Sequence, residues 1–90
     1  MAALTDAEIA KGLSSLSGWV RAGAEIRKEY RFADFKGAMA FVNRVAGLAE
    51  ESDHHPDIVI NYNKVALTLT SHDTGGLTDR DFRLAARIDG

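Results

Sequence analysis

Ninety residues amount to one domain, and a chain this short buries only roughly 60–65% of the surface its unfolded form exposes, so self-association is expected to add stability. Thirteen acidic against eleven basic side chains give a formal net charge of -2 and no electrostatic reason to expect nucleic acid, which selects clustered Lys and Arg. The absence of Cys excludes disulfides and thiolate chemistry; the start Met1-Ala2-Ala3-Leu4-Thr5-Asp6 lacks the basic and apolar regions of a signal peptide, and no apolar run approaches the ~20 residues of a membrane span, so a cytoplasmic protein is expected.

Thr5-Asp6-Ala7-Glu8 is a capping box, with Leu4 and Ile9 at the spacing of a hydrophobic staple. A first helix is predicted from there to about Leu13, decaying through Gly12, Ser14, Ser15, Ser17 and Gly18. Trp19-Val20-Arg21 reads as a short strand and Ala22-Gly23-Ala24 as a turn. Trp19 reads as packing rather than as a stacking platform for a flat ligand. Glu25 to Phe32 alternates: Glu25, Arg27, Glu29 and Arg31 fall on one face, and Ile26, Tyr30 and Phe32 on the other, with Lys28 breaking the apolar set. That is the pattern of a half-buried antiparallel strand.

Asp34 caps a second helix. Phe35, Ala38, Met39, Val42, Val45, Ala46 and Ala49 form its apolar stripe, widened by Phe41 and Leu48. A stripe this broad covers a sheet and leaves area for a second subunit. Glu50 and His54 share a face provided that the last turn persists to residue 54. Pro56 pushes His55 towards an extended conformation, so neighbouring His54 and His55 need not point in opposite directions.

Ile58, Ile60 and Tyr62 alternate with Val59 and Asn61 in a third strand. Asn61-Tyr62-Asn63-Lys64 supplies a turn, and Val65, Leu67 and Leu69 alternate with Ala66, Thr68 and Thr70 in a fourth. His72 follows just past that strand, and Thr74-Gly75-Gly76 opens a loop. A last helix starts with Thr78 as cap, Asp81 at the capping-box position and Leu77 with Phe82 as staple; its apolar face is Phe82, Ala85, Ala86 and Ile88 or Asp89. The order is therefore helix, two strands, helix, two strands, helix.

All three histidines lie at the two ends of the predicted hairpin over residues 57 to 70, and a hairpin brings its ends together. Three chemistries compete for them. Three His are a common zinc set, which Asp53, Asp73 or Asp81 completes, but there is no His-x-His, His-x-x-x-His or Cys. Taken singly, each histidine reads as structural. Taken together they read as general acid/base groups, because imidazole titrates near pH 6.5 and both donates and accepts a proton at neutral pH. Glu50 and Asp81 are the carboxylates placed to fix tautomers, although an acid in the first turn of a helix is favoured by the cap and dipole alone. No Gly-rich phosphate loop and no dinucleotide fingerprint is present.

Glu50-x-x-x-His54-His55-Pro56, then Tyr62, His72 and Asp81 at six, ten and nine positions further, resembles the signature of the pterin-4a-carbinolamine dehydratases. Tyr62-Asn63-Lys64-Val65 and Gly76-Leu77-Thr78-x-x-Asp81 resemble that family as well, and the likeness covers nearly the whole chain. It implies an α+β, two-layer fold: a four-stranded antiparallel sheet with helices on one face. It implies homodimers or homotetramers, with sheets joined edge to edge and helices packed between dimers. The implied activity is dehydration of 4a-hydroxytetrahydropterin to quinonoid dihydropterin, which recycles the cofactor of aromatic amino-acid hydroxylases, with no metal or organic cofactor. His54 and His72 match the family's acid/base positions, His55 matches a substrate-binding position, and Glu50 and Asp81 match acidic positions that shape the pocket. Ile58 stands where many members carry Trp. Some relatives are dimerisation partners of a transcription factor or assembly chaperones; this chain keeps all three His, which favours the enzyme.

Overall fold

Residues 2–90 are described by a computed structural model. Its elements in chain order are α1 (Asp6–Ser14), β1 (Val20–Ala22), β2 (Glu25–Arg31), α2 (Phe35–Ser52), β3 (Asp57–Asn61), β4 (Lys64–Leu69) and α3 (Asp79–Asp89). The strands form one antiparallel sheet in the order β1-β2-β4-β3. Two hairpins therefore meet along β2 and β4, and β3 is left as an edge. Trp19 falls just outside β1, and the turn to β2 is the pair Gly23-Ala24.

The alternation sets the register. Ile26 pairs with Leu69, Lys28 with Leu67 and Tyr30 with Val65, while Leu67 and Val65 also face Ile58 and Ile60. Directly paired residues share a face of the sheet, so one face carries Ile26, Leu67, Leu69 and Val65, all of them fully buried. The helices supply the second layer through Ile9 of α1, Ala38 and Val45 of α2, and Leu84, Ala85 and Ile88 of α3. Each such Leu, Ile or Val contributes about 1.5–3 kcal/mol by leaving water. Lys28 is tolerated on this face because its ammonium reaches out to the Ser17 carbonyl at 2.8 Å and Asp89 at 3.0 Å. The opposite face presents Arg27, Glu29 and Val59 to solvent.

Both predicted capping boxes form. Thr5 and Glu8 exchange backbone–side-chain bonds at 2.8 and 3.2 Å, and Thr78 and Asp81 do the same at the start of α3. The α2 stripe is wider than its contact with the core. Ala38, Val45 and Ala49 are buried, whereas Phe35 is 50% exposed and Ala46 is exposed. On α3 the buried apolar residues are Leu84, Ala85 and Ile88; Ala86 faces solvent. At the far end of α3, Asp89 accepts from Trp19 Nε1 at 2.8 Å and Tyr30 Oη at 2.5 Å, closing the sheet onto the last helical turn.

Candidate active site

The end of α2 decides where the histidines point. Asp53 takes the left-handed conformation, φ 49° and ψ 42°, and its N–H closes on the Ala49 and Glu50 carbonyls. Asp tolerates that region better than most residues. The helix therefore stops at Ser52, so the condition for Glu50 and His54 to share a helical face, a last turn reaching residue 54, is not met. The His54 N–H donates to the Ala49 carbonyl at 3.1 Å, and Pro56 leads into β3. The two adjacent imidazoles separate: His54 is 8% exposed, and His55 faces solvent.

Each imidazole meets a carboxylate. His55 Nε2 lies 2.5 Å from Glu50 Oε2, so Glu50 partners His55 rather than His54. His54 Nε2 lies 2.5 Å from Asp81 Oδ1. Asp81 is fully buried, and its other oxygen accepts from Ser71 Oγ and from the Thr78 N–H, both at 2.9 Å. Ser71 Oγ also lies 2.8 Å from Thr78 Oγ1. Since the Ser71 proton is directed at Asp81, the Thr78 hydroxyl donates to Ser71. The capping carboxylate of α3 thus holds His54 as well as its own helix terminus.

This arrangement fixes a tautomer. With a carboxylate as its acceptor, His54 Nε2 carries a proton, so in the neutral imidazole Nδ1 is the nitrogen with the lone pair. No buried side-chain N or O atom among the described residues lacks a partner. Among the described residues the Asp81 contact is the one hydrogen bond His54 makes through its ring, so Nδ1 is the ring nitrogen open to solvent.

His54 borders a cleft of about 400 Å³ walled by all three histidines with Asp53, Thr70, Asp73 and Arg80. The hairpin assembles this wall. Asp57 stands opposite Thr68, which puts His54 and His55 before the first strand beside Thr70 and His72 after the second. Arg80 bridges the loop to α3 by donating to Asp73 at 2.8 Å, and that bond holds the Asp73 carboxyl below its usual range. Asp81 lies behind His54 and Glu50 behind His55, and neither is part of the wall. Ile58 pairs with Leu67 and packs on the core. Tyr62 sits at the opposite tip of the hairpin, 63% exposed. Ser71 and Arg80 carry no sequence signal of a role at the site beyond their places next to His72 and near Thr78.

A small α+β domain in which a buried carboxylate holds an imidazole beside a cleft carries groups that can take up and release a proton. Comparison with known proteins sharpens that class. The family model described as pterin 4 alpha carbinolamine dehydratase matches residues 2–90, and the chain belongs to that family. A relative from Roseiflexus sp. (strain RS-1) is 56% identical over 96% of this chain and 92% of its own length; one from Thermomicrobium roseum is 54% identical over 98% and 95%. Both carry the name "Putative pterin-4-alpha-carbinolamine dehydratase". A crystal structure of a transcriptional coactivator/pterin dehydratase from Brucella melitensis superposes with a TM-score of 0.93 at 34% identity, covering 97% of this chain and 95% of the other. A pterin dehydratase-like protein that is a RuBisCO assembly factor in the alpha-carboxysome matches with a TM-score of 0.64 at 26% identity, covering 79% and 82%.

Proposed function

We propose that the protein is a hydro-lyase converting 4a-hydroxytetrahydropterin to quinonoid dihydropterin and water. The observation that carries this reading is the buried Asp81 carboxylate bonded to His54 Nε2 beside the cleft that all three histidines line. In the reaction His54 Nδ1 takes the N5 proton, the N5–C4a bond becomes double, and the C4a–O bond breaks. His72, exposed on the same wall, gives its proton to the departing oxygen, which leaves as water. Two proton transfers balance the step, and no metal or organic cofactor is needed. Glu50 orients His55 to bind the ring, and Asp81 positions His54. A separate two-electron reduction then returns the product to the reduced cofactor of aromatic amino-acid hydroxylases.

A stopped-flow assay following the absorbance of the quinonoid product tests this. His54→Ala and His72→Ala are each expected to lower the rate by roughly 10²–10⁴ while the circular dichroism spectrum is kept. Parent-like rates in both variants would remove the assignment.

One observation bears on how the protein assembles. The β3 edge and its turn expose Val59 (61%), Ile60 (38%) and Tyr62 (63%), an apolar edge of the kind other chains pair with. We assign this edge to a homo-oligomer joined sheet to sheet. A non-catalytic assembly module would use the same edge for a foreign partner, and it is distinguished by absent turnover.

A further inference from the structure

His54 stands between two cavities. Besides the histidine cleft, it borders a second one of about 400 Å³ whose wall is otherwise Ser52, Arg80, Arg83, Leu84 and Arg87. Arg80 is also common to both, so the two spaces adjoin. The three arginines follow from the α3 sequence: positions 80, 83 and 87 lie on one face of a helix and span about 10 Å along its axis.

The electrostatics of this second cavity are one-sided. No acidic residue is on its wall. Arg83 makes no ion pair with any described residue. Arg80 and Arg87 are engaged from the rim, by Asp73 at 2.8 Å and Glu51 at 2.9 Å, but those acids are 70% and 66% exposed. Ion pairs so open to water are weak and yield to a ligand that offers a bidentate acceptor. The chain as a whole is negative, so this is a local concentration of donors and not a general attraction for anions.

Resting on the dehydratase reading above, we propose that this cavity is a subsite for an anionic arm on the pterin, a phosphate ester or a carboxylate carried by the ring substituent. The ring occupies the histidine cleft, and the arm passes His54 to lie along Arg80, Arg83 and Arg87. The shared chemistry is a multivalent oxyanion, recognised by guanidinium forks. A neutral substituent leaves the arginines in water and gains nothing from them.

The test is calorimetric binding of three oxidised pterins to the full chain: 6-hydroxymethylpterin, its monophosphate, and a pterin bearing a glutamyl carboxylate. The parent is expected to bind at least one anionic ligand about tenfold more tightly than the neutral one, with the preference shrinking as salt is added. Preference for the phosphate alone identifies a phosphate arm, and for the glutamyl ligand alone a carboxylate arm. Arg83→Gln with Arg87→Gln is expected to bring the ratio close to one. Arg27→Gln, which removes a positive charge on the far face of the sheet, is expected to keep it. Equal affinity for neutral and anionic ligands in the parent overturns the proposal, as does an equal loss in the Arg27 variant. If the neutral pterin binds and its carbinolamine is turned over without any anionic preference, only the subsite falls. If no pterin binds at all, the dehydratase reading falls with it.

Discussion

His54 Nε2 and Asp81 Oδ1 meet at 2.5 Å although 27 positions separate them in the chain, and that contact joins the end of α2 to the start of α3. Asp81→Asn separates its two duties. The amide keeps the shape but offers only one acceptor oxygen where the carboxylate offers two, so a donor at this site loses its partner and the His54 tautomer is no longer fixed. The expected outcome is a fall in kcat with little change in KM and a displaced pH–rate profile. Asp81→Ala leaves the buried Ser71 hydroxyl and Thr78 N–H without an acceptor and is expected to cost a further 1–3 kcal/mol of stability, read by urea unfolding. An unchanged pH–rate profile in the Asn variant would refute the positioning role.

One substitution type should act in opposite directions on two helices. A Cβ at Gly47, within α2, would meet nothing within 4 Å. Gly47→Ala is expected to stabilise by about 0.5–1 kcal/mol, because Ala loses less freedom on entering a helix. A Cβ at Gly12 would lie 2.8 Å from two ring carbons of Phe82, where α1 crosses α3. Moving that ring is expected to cost 1–3 kcal/mol, more than the gain in helix propensity. Thermal unfolding of the two variants reads both signs.

The strands and helix starts were legible because local rules dictate them. Alternation over Glu25–Arg31 and Lys64–Leu69 and the boxes at Thr5 and Thr78 each involve neighbours in sequence. The fold order followed from these, and the family motif gathered the three histidines. The pairing of carboxylates was not legible. It turns on Asp53 entering the left-handed region, a one-residue event that periodicity does not encode and that moves Glu50 from His54 to His55. The Asp89 contacts with Trp19 and Tyr30, 70 and 59 positions away, depend on how α3 crosses the sheet. The same holds for Phe35 and Ala46, which match the α2 stripe but miss the core.

Alkaline pH should loosen the end of the molecule remote from the histidines. Burial first, and the hydrogen bond to Asp89 second, raise the Tyr30 phenol above its ordinary value. The folded state therefore keeps a proton that the unfolded chain releases above about pH 10. The contribution is complete below that pH and is lost as pH rises towards the folded value. Burial alone pushes Asp89 upward, but its bonds from Tyr30, Trp19 and Lys28 prevail and hold it below the usual range. Its contribution is present above the unfolded Asp value and fades as pH falls through the folded one. Urea midpoints measured between pH 8 and 11 are expected to decline above pH 10 in the parent and less in Tyr30→Phe. Identical declines would show that another group is responsible.

The β3 edge gives the proposed oligomer a direct test. Of the two outer strands, β1 has three residues and β3 has five, so β3 offers the longer unpaired ladder. Val59 is 61% exposed on the sheet face away from the helices. A lysine there leaves the isolated fold intact, since no core contact is lost. In a sheet continued through β3 it places an ammonium beside its symmetry mate, the device by which natural edges resist pairing. Val59→Lys is therefore expected to shift the mass measured by light scattering from an oligomer towards the monomer, more so at low salt, where the like charges are least screened. Retention of the parent mass at micromolar concentration would move the interface elsewhere, with the exposed Phe35 and Ala46 face of α2 the next to test by the same substitution.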